Sequence, residues 1–147
     1  MYDRILCPTD GSDGAAAALD HAIELASRYD ASLHLLYVVD EYLPALDAGD
    51  PELAGQLRAA GERIVTAARE RAIDAGVREV RGEVVGGTPH RRILSAADAE
   101  DVDLVVMGTH GRTGLDRYLL GSVAERVVRL ADVPVLTVRR PTADWDR

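Results

Sequence analysis

Short apolar runs alternate with longer segments of helical periodicity, and this alternation limits the possible folds more than any other feature. The apolar runs are Arg4 to Pro8, Ser32 to Val39, Val77 to Val85, Leu104 to Met107 and Val133 to Val138. Strands that alternate with helices form a parallel sheet with right-handed crossovers. The sequence therefore predicts an α/β fold with a doubly wound, five-stranded, Rossmann-like parallel sheet and helices on both of its faces.

Local start and stop signals predict four helices between these strands. The first is capped by Ser12 or Asp13 and runs to about Tyr29. The other three are predicted from about Glu52 to Gly76, from Pro89 (after a Thr88 cap) to near Asp101, and from Ser122 to Ala131. Between the second strand and the second helix, Glu41 to Pro51 collects proline, glycine and acidic residues, which indicates a loop.

The length of 147 residues suits one domain, here residues 1–140, followed by a tail at 141–147. A net charge of −8 opposes binding to nucleic acids or to anionic membranes. No secretory signal or membrane span is recognisable, so we expect a cytoplasmic protein. Cys7 is the single cysteine, which excludes an internal disulfide, and its apolar surroundings indicate inert packing. The acidic, lysine-free composition favours a halophilic source, although a GC-rich genome also favours arginine over lysine.

A glycine-spaced loop follows the fourth strand and is the main candidate for chemistry. Ligands of open parallel sheets bind beyond the carboxyl ends of strands where the winding reverses, which directs attention to Asp10 and Gly108. We interpret Gly108 as allowing close approach of a ligand, Gly111 as permitting a left-handed turn and Gly121 as clearing the start of the next helix. Free N–H groups and the Ser122 hydroxyl at that helix start favour phosphate, to which Arg112 or Arg117 can add charge.

Other interpretations of these residues stay open at this point. The glycines can simply form a turn, and Asp10 can simply cap the first helix. Asp10 as a phosphoacceptor resembles response regulators, which need a nearby lysine, and the chain contains none. The same absence excludes a P-loop. His110 has the chemistry of an acid or base but no partnered nucleophile, so no catalytic residue is assigned, and the histidines show no metal-site spacing.

The loop resembles the signature Gly-x2-Gly-x9-Gly-Ser/Thr of the ATP-binding branch of the universal stress protein family, with Gly108, Gly111, Gly121 and Ser122 matching without a gap. The resemblance extends to the strands around Cys7 and Val38, to Gly87-Thr88-Pro89 and to the last strand. It implies the sheet order 3-2-1-4-5 and pairing of two copies through strand five, with Val133, Val135, Leu136 and Val138. It also implies adenosine contacts from Pro8, Thr9, Asp10 and the Val38 main chain. Around the ribose and phosphates it implies Met107, Gly108, Thr109, His110, Gly111, Gly121, Ser122 and Val123.

Three functions are compatible with this resemblance. The first is a stress or signalling module whose state depends on bound ATP, with or without Mg²⁺. The second is an enzyme that slowly hydrolyses ATP or transfers phosphate from it, for which no carboxylate cluster that would hold a catalytic magnesium is recognisable. The third is a module that binds AMP or cyclic AMP. We predict the first function.

Overall fold

The structure, a computed structural model, describes residues 1–40, 51–110 and 120–139. Five parallel strands form one sheet in the order β3-β2-β1-β4-β5, as the resemblance implied. The strands are β1 (Arg4–Pro8), β2 (Ser32–Asp40), β3 (Val80–Gly87), β4 (Leu104–Gly108) and β5 (Val135–Val138). The central strands β1 and β4 pair through Ile5 with Leu104 and Leu6 with Val105. The α/β fold with its doubly wound sheet is therefore confirmed.

The helices within the described residues are α1 (Asp13–Tyr29), α2 (Pro51–Asp74), α3 (Pro89–Ala99) and α4 (Ser122–Leu130). α1 and α2 cover one face of the sheet, where their buried alanines pack against Ile5, Cys7, Leu33 and Leu35. α3 and α4 cover the other face, where Ile93 and Val127 pack against Leu6 and Leu36. Each fully buried aliphatic side chain of these two clusters contributes about 1.5–3 kcal/mol relative to an exposed one. None of the described helices has the length and apolar character needed to cross a bilayer.

The prediction for the third strand was displaced, because Val77 is not part of it. Val77 is 4% exposed and donates its N–H to the carbonyl of Ala72, which closes the end of α2 together with Gly76 in a left-handed conformation (φ +98°). β3 begins at Val80 and continues past the predicted end at Val85 through Gly86 and Gly87, because β2 supplies pairing partners as far as Asp40. The edge position that the implied sheet order gives this strand is confirmed.

The prediction for strand five began two residues too early. Pro134 has no N–H, and its carbonyl accepts a hydrogen bond from Val105 before the strand proper begins at Val135. β5 lies at a sheet edge, as expected. Val138 is 9% exposed and packs in the core, whereas Leu136 is 37% exposed. An interface through this strand would therefore use Leu136 and the strand's backbone rather than the Val138 side chain.

The amino ends of the strands carry a network of charged side chains. Glu83 accepts a hydrogen bond from Nε2 of His34 at 3.1 Å, and Arg81 pairs with Glu100 at 2.7 Å. Arg4 donates to the Glu100 carbonyl at 3.0 Å. Burial and, secondarily, the charge of Arg81 lower the pKa of His34, while Glu83 opposes them. Charges contributed by β1, β2, β3 and the end of α3 thus largely satisfy one another at this end of the sheet.

Candidate functional site

The candidate site lies at the carboxyl ends of β1 and β4. β1 leads into α1 on one face of the sheet, and β4 leads towards α4 on the other face. Connections that leave two neighbouring strands in opposite directions open a crevice between them, and this is where ligands of such sheets bind. The structure therefore brings Pro8, Thr9 and Asp10 to the same edge as Met107, Gly108, Thr109 and His110.

The end of β1 is held against β2 by a backbone hydrogen bond from the Thr9 N–H to the Leu36 carbonyl at 2.9 Å. β2 continues past this point to Asp40. Residues two apart in a strand direct their backbone groups to the same side. Val38 is two residues after Leu36, so its N–H and carbonyl face the side of β1, in the region beyond Thr9. The predicted role of the Val38 main chain is geometrically possible, and buried Pro8 forms the base of this region.

Asp10 does not cap α1, which removes one interpretation of this residue. Its Oδ1 accepts a hydrogen bond from the Ser12 N–H at 2.9 Å and so shapes the turn before the helix. The cap is Ser12, whose hydroxyl oxygen accepts the N–H of Ala15 at 3.1 Å. The first turn of α1 is therefore closed by side chains of its own segment.

Gly108 has no room for a side chain, but the neighbour that requires this is α1. A Cβ at Gly108 would lie 2.9 Å from the carbonyl carbon of Gly14 and 3.3 Å from the Ala15 nitrogen. Our interpretation of Gly108 as a point of ligand approach was thus incomplete. A Cβ at Gly14 would in turn lie 3.1 Å from the carbonyl oxygen of His110. The two glycines let the start of α1 rest directly on the end of β4.

Gly14 is a supporting residue of the candidate site that the sequence interpretation missed. The available signal was a glycine in the first turn of a helix, where it lowers helix stability relative to alanine. Nothing in the sequence indicated that its neighbour would be the chain just after β4.

Thr109 joins three elements at the end of β4. Its N–H donates to the Val138 carbonyl at 3.0 Å, and its carbonyl accepts the Gly121 N–H at 2.7 Å. Its hydroxyl lies 3.1 Å from Nδ1 of His110. Thr109 is 7% exposed, so these bonds are shielded from water and fix the start of α4 next to the ends of β4 and β5.

One ring nitrogen of His110 has no hydrogen-bond partner among the described residues. Nε2 is buried and has no partner within the described ranges. A buried polar atom of this kind normally has a protein, water or ligand partner. This nitrogen is the polar atom of the candidate site that most clearly lacks a partner from the described part of the chain.

Among the described residues, no side chain caps the start of α4. Gly121 is the capping residue, with φ −64° and ψ 161°, and it has no side chain to accept the first N–H groups of the helix. Ser122 is exposed, Val123 is half-buried, and the first acidic residue of the helix is Glu125. Exposed N–H groups at the positive end of a helix dipole bind anions.

Several predicted residues fall outside this description. Gly111 and the two arginines Arg112 and Arg117 lie outside the described residues, as do most of Glu41 to Pro51 and the tail at 141–147. Among the described residues, no group of three or more His, Cys, Asp or Glu side chains is arranged to hold a metal ion. Cys7 lies within the core behind the site, where burial raises the pKa of its thiol to about 12, so it stays protonated and unreactive.

The model of the universal stress protein family matches residues 1–139. The chain belongs to this family. Universal stress protein MJ0531 of Methanocaldococcus jannaschii is 42% identical over 146 residues, covering 96% of this chain and 84% of the relative. A second protein of that organism, MJ0577, has a solved structure that superposes with a TM-score of 0.86 at 35% identity, covering 97% and 99% of the two chains.

A further solved structure is that of a universal stress protein in complex with cAMP. It is similar to this chain with a TM-score of 0.70 and 30% identity, covering 95% of this chain and 98% of that one. Adenine nucleotide binding thus occurs in a universal stress protein with this fold.

Proposed function

We propose that this universal stress protein binds ATP at the carboxyl ends of β1 and β4 and acts as a stress or signalling module whose state follows nucleotide occupancy. One observation carries the proposal. The Gly121 N–H is bonded to the Thr109 carbonyl, which holds an uncapped helix N-terminus beside the crevice between two central strands. That arrangement provides fixed N–H donors at the place where a phosphate group of a nucleotide can reach them.

The adenosine part of the ligand occupies the β1 and β2 side of the crevice. Pro8 and Thr9 form its wall, while Asp10 and the main chain of Val38 supply polar contacts. The ribose and phosphates lie on the β4 and α4 side, against Met107, Gly108, Thr109, His110, Gly111, Gly121, Ser122 and Val123. In this arrangement Nε2 of His110 gains a phosphate or ribose oxygen as its partner, and the Ser122 hydroxyl donates to a phosphate oxygen.

The identity of the bound nucleotide is tested on protein purified from its source without added ligand. Mass spectrometry of the small molecules released by denaturation should detect ATP. Titration calorimetry of nucleotide-free protein should then give tighter binding for ATP than for GTP, with and without Mg²⁺. If AMP or cyclic AMP alone is released, and that nucleotide binds more tightly than ATP, then it is the ligand in place of ATP. No binding of any adenine nucleotide would reject the proposal.

Binding rather than catalysis is the function that we assign to the site. Of the two described side chains there with the chemistry of an acid or base, Asp10 accepts the Ser12 N–H, and Nδ1 of His110 faces Thr109 rather than a carboxylate that would orient it. Incubation with ATP and Mg²⁺ should therefore leave the nucleotide intact over many binding half-lives. Steady phosphate release that disappears in His110→Gln would support the alternative, a slow ATP-hydrolysing enzyme.

We further propose a cytoplasmic homodimer that forms through β5. The edge position of this strand and the 37% exposure of Leu136 support the proposal, because an unpaired edge strand with an apolar side chain is suited to pairing. Sedimentation velocity should give a dimer for the wild type and a monomer for Leu136→Arg. A monomeric wild type at high concentration would reject this interface.

A further inference from the structure

Basic side chains collect on one outer surface of a chain whose net charge is −8. His90 and Arg91 lie in the first turn of α3, and Arg126 and Arg129 lie on α4. We call these four residues the α3–α4 basic face. The two helices bury their apolar sides in the same core cluster, which leaves the three arginines exposed.

Acidic side chains of the described residues balance only part of the charge on the basic face. Arg129 pairs with Glu125 of its own helix at 3.3 Å. Within the described ranges, Arg91 and Arg126 form no ion pair. Elsewhere in the molecule arginines do meet acidic partners, as in the pair of Arg81 with Glu100 at 2.7 Å. As far as the described residues show, the face therefore keeps positive charge in a protein that is acidic as a whole.

Two features of the basic face are unfavourable for the isolated fold, although Arg129, in the last turn of α4, suits the dipole of that helix. The first turn of α3 contains no acidic residue, and positive charges there oppose the helix dipole. The residues also repel one another: partial burial and the charges of Arg126, Arg91 and Arg129 lower the pKa of the His90 imidazole. Neither feature helps the domain to fold, which points to a role outside folding.

We propose that the α3–α4 basic face is a docking surface for an acidic, Asp- and Glu-rich segment of a partner protein. Exposed arginines present forks of N–H donors that match carboxylate oxygens. The net charge of −8 opposes the long-range approach of a nucleic acid, whereas a short acidic segment can meet the basic face alone. The face shares no residue with the nucleotide site, although Arg126 lies one turn after Ser122 on α4.

The test uses the whole protein and a short fluorescein-labelled peptide of alternating Glu and Ser, with fluorescence anisotropy at low ionic strength. The wild type should bind the peptide, and affinity should fall as salt is added. The double variant R91Q/R126Q should bind about tenfold more weakly, because two exposed charge contacts are lost. The matched control R28Q/R63Q removes the same charge from α1 and α2 and should stay within about twofold of the wild type.

A second readout locates the contact. Addition of the peptide should raise the pKa of His90, followed by NMR of its imidazole, because carboxylates replace the surrounding positive charge. The imidazole signals of His21, on α1, should not move. Absence of peptide binding, equal weakening in both double variants, or an unmoved His90 would overturn the proposal. Tighter binding of a single-stranded RNA of equal charge would likewise overturn it, since the surface would then recognise nucleic acid.

Discussion

The N-termini of α1 and α4 lie at the same edge of the sheet and are completed in different ways. At α1, Asp10 accepts the Ser12 N–H, and the Ser12 hydroxyl accepts the Ala15 N–H. At α4, the capping residue is Gly121, which offers no side-chain acceptor. Within the described residues, α1 thus begins with a side-chain cap and α4 begins without one.

The two helix starts differ in role: the start of α1 supports the end of β4, and the start of α4 is the proposed phosphate site. The closed start of α1 packs on the end of β4 through Gly14 and Gly108, and so holds the strand that carries Thr109. Thr109 in turn holds the open start of α4. We infer that α1 contributes mainly to stability and the start of α4 mainly to affinity, and substitutions at the two helices should separate these effects.

The largest expected effect on stability is that of Gly108→Ala. The new Cβ would lie 2.9 Å from the Gly14 carbonyl carbon, a backbone atom that moves only with α1. We expect the free energy of unfolding in urea to fall by about 1–3 kcal/mol. Gly55→Ala is the matched control, because a Cβ there meets nothing within 4 Å and lies inside α2. The control should stabilise the protein by about 0.5–1 kcal/mol, and equal destabilisation by both substitutions would contradict a specific contact between α1 and β4.

Replacement of the serine at each helix start should have opposite consequences. Ser12→Ala removes the cap of α1 and should lower the free energy of unfolding by about 1 kcal/mol, with little change in ATP affinity. Ser122→Ala removes an exposed hydroxyl that caps nothing and should change stability by less than about 0.5 kcal/mol. Its ATP affinity should fall by about tenfold, through the loss of one hydrogen bond to phosphate. A pair of variants with equal effects on both quantities would remove the distinction between the two helices.

The smallest expected effect concerns His34, at the opposite end of the strands. His34 is 8% exposed and its Nδ1 has no partner within the described residues, so burial lowers its pKa from 6.5. The unfolded chain, which keeps the ordinary pKa, then binds the proton more readily than the native one. The free energy of unfolding should hold its full value above pH 6.5 and fall as the pH drops from 6.5 through the lowered native pKa.

The variant His34→Gln tests this pH dependence in urea titrations between neutral and mildly acidic pH. It should lose part of the acid sensitivity, whereas His21→Gln, at an exposed position of α1, should keep all of it. Acid sensitivity that is unchanged in His34→Gln would assign the effect to the carboxylates of the network rather than to the imidazole.

Sequence periodicity was sufficient for most elements because it reflects burial, which the sheet imposes locally. Strand β1 and helix α1 begin and end where they were predicted. The errors in strand bounds arose where contacts with another element decide whether a residue belongs to a strand. The apolar side chain of Val77 packs in the core beyond the end of α2 rather than in a strand, and Gly86 is in a strand because Val39 pairs with it.

The candidate site was predictable in its position but not in its internal contacts. The glycine spacing and the end of a central strand located Gly108 and Gly121, yet the reason for Gly108 is a helix that lies far away in sequence. The cap at Ser12 was one of two predicted choices, whereas the bonds of Thr109 to Val138 and Gly121 join three elements. Contacts of this kind depend on the assembled fold, and no local pattern encodes them.

ATP titration calorimetry on Gly121→Asp, with Gly121→Asn as its matched control, tests most directly whether the N-terminus of α4 binds phosphate. The φ and ψ of Gly121 suit either residue as a cap, so both variants should be as stable in urea as the wild type or slightly more stable. Both side chains occupy the N–H donors of α4, and the aspartate also repels phosphate. We predict that ATP affinity falls by about a hundredfold in Gly121→Asp and by a smaller factor in Gly121→Asn. Wild-type ATP affinity in a folded Gly121→Asp protein would contradict the assignment of the α4 N-terminus as the phosphate site.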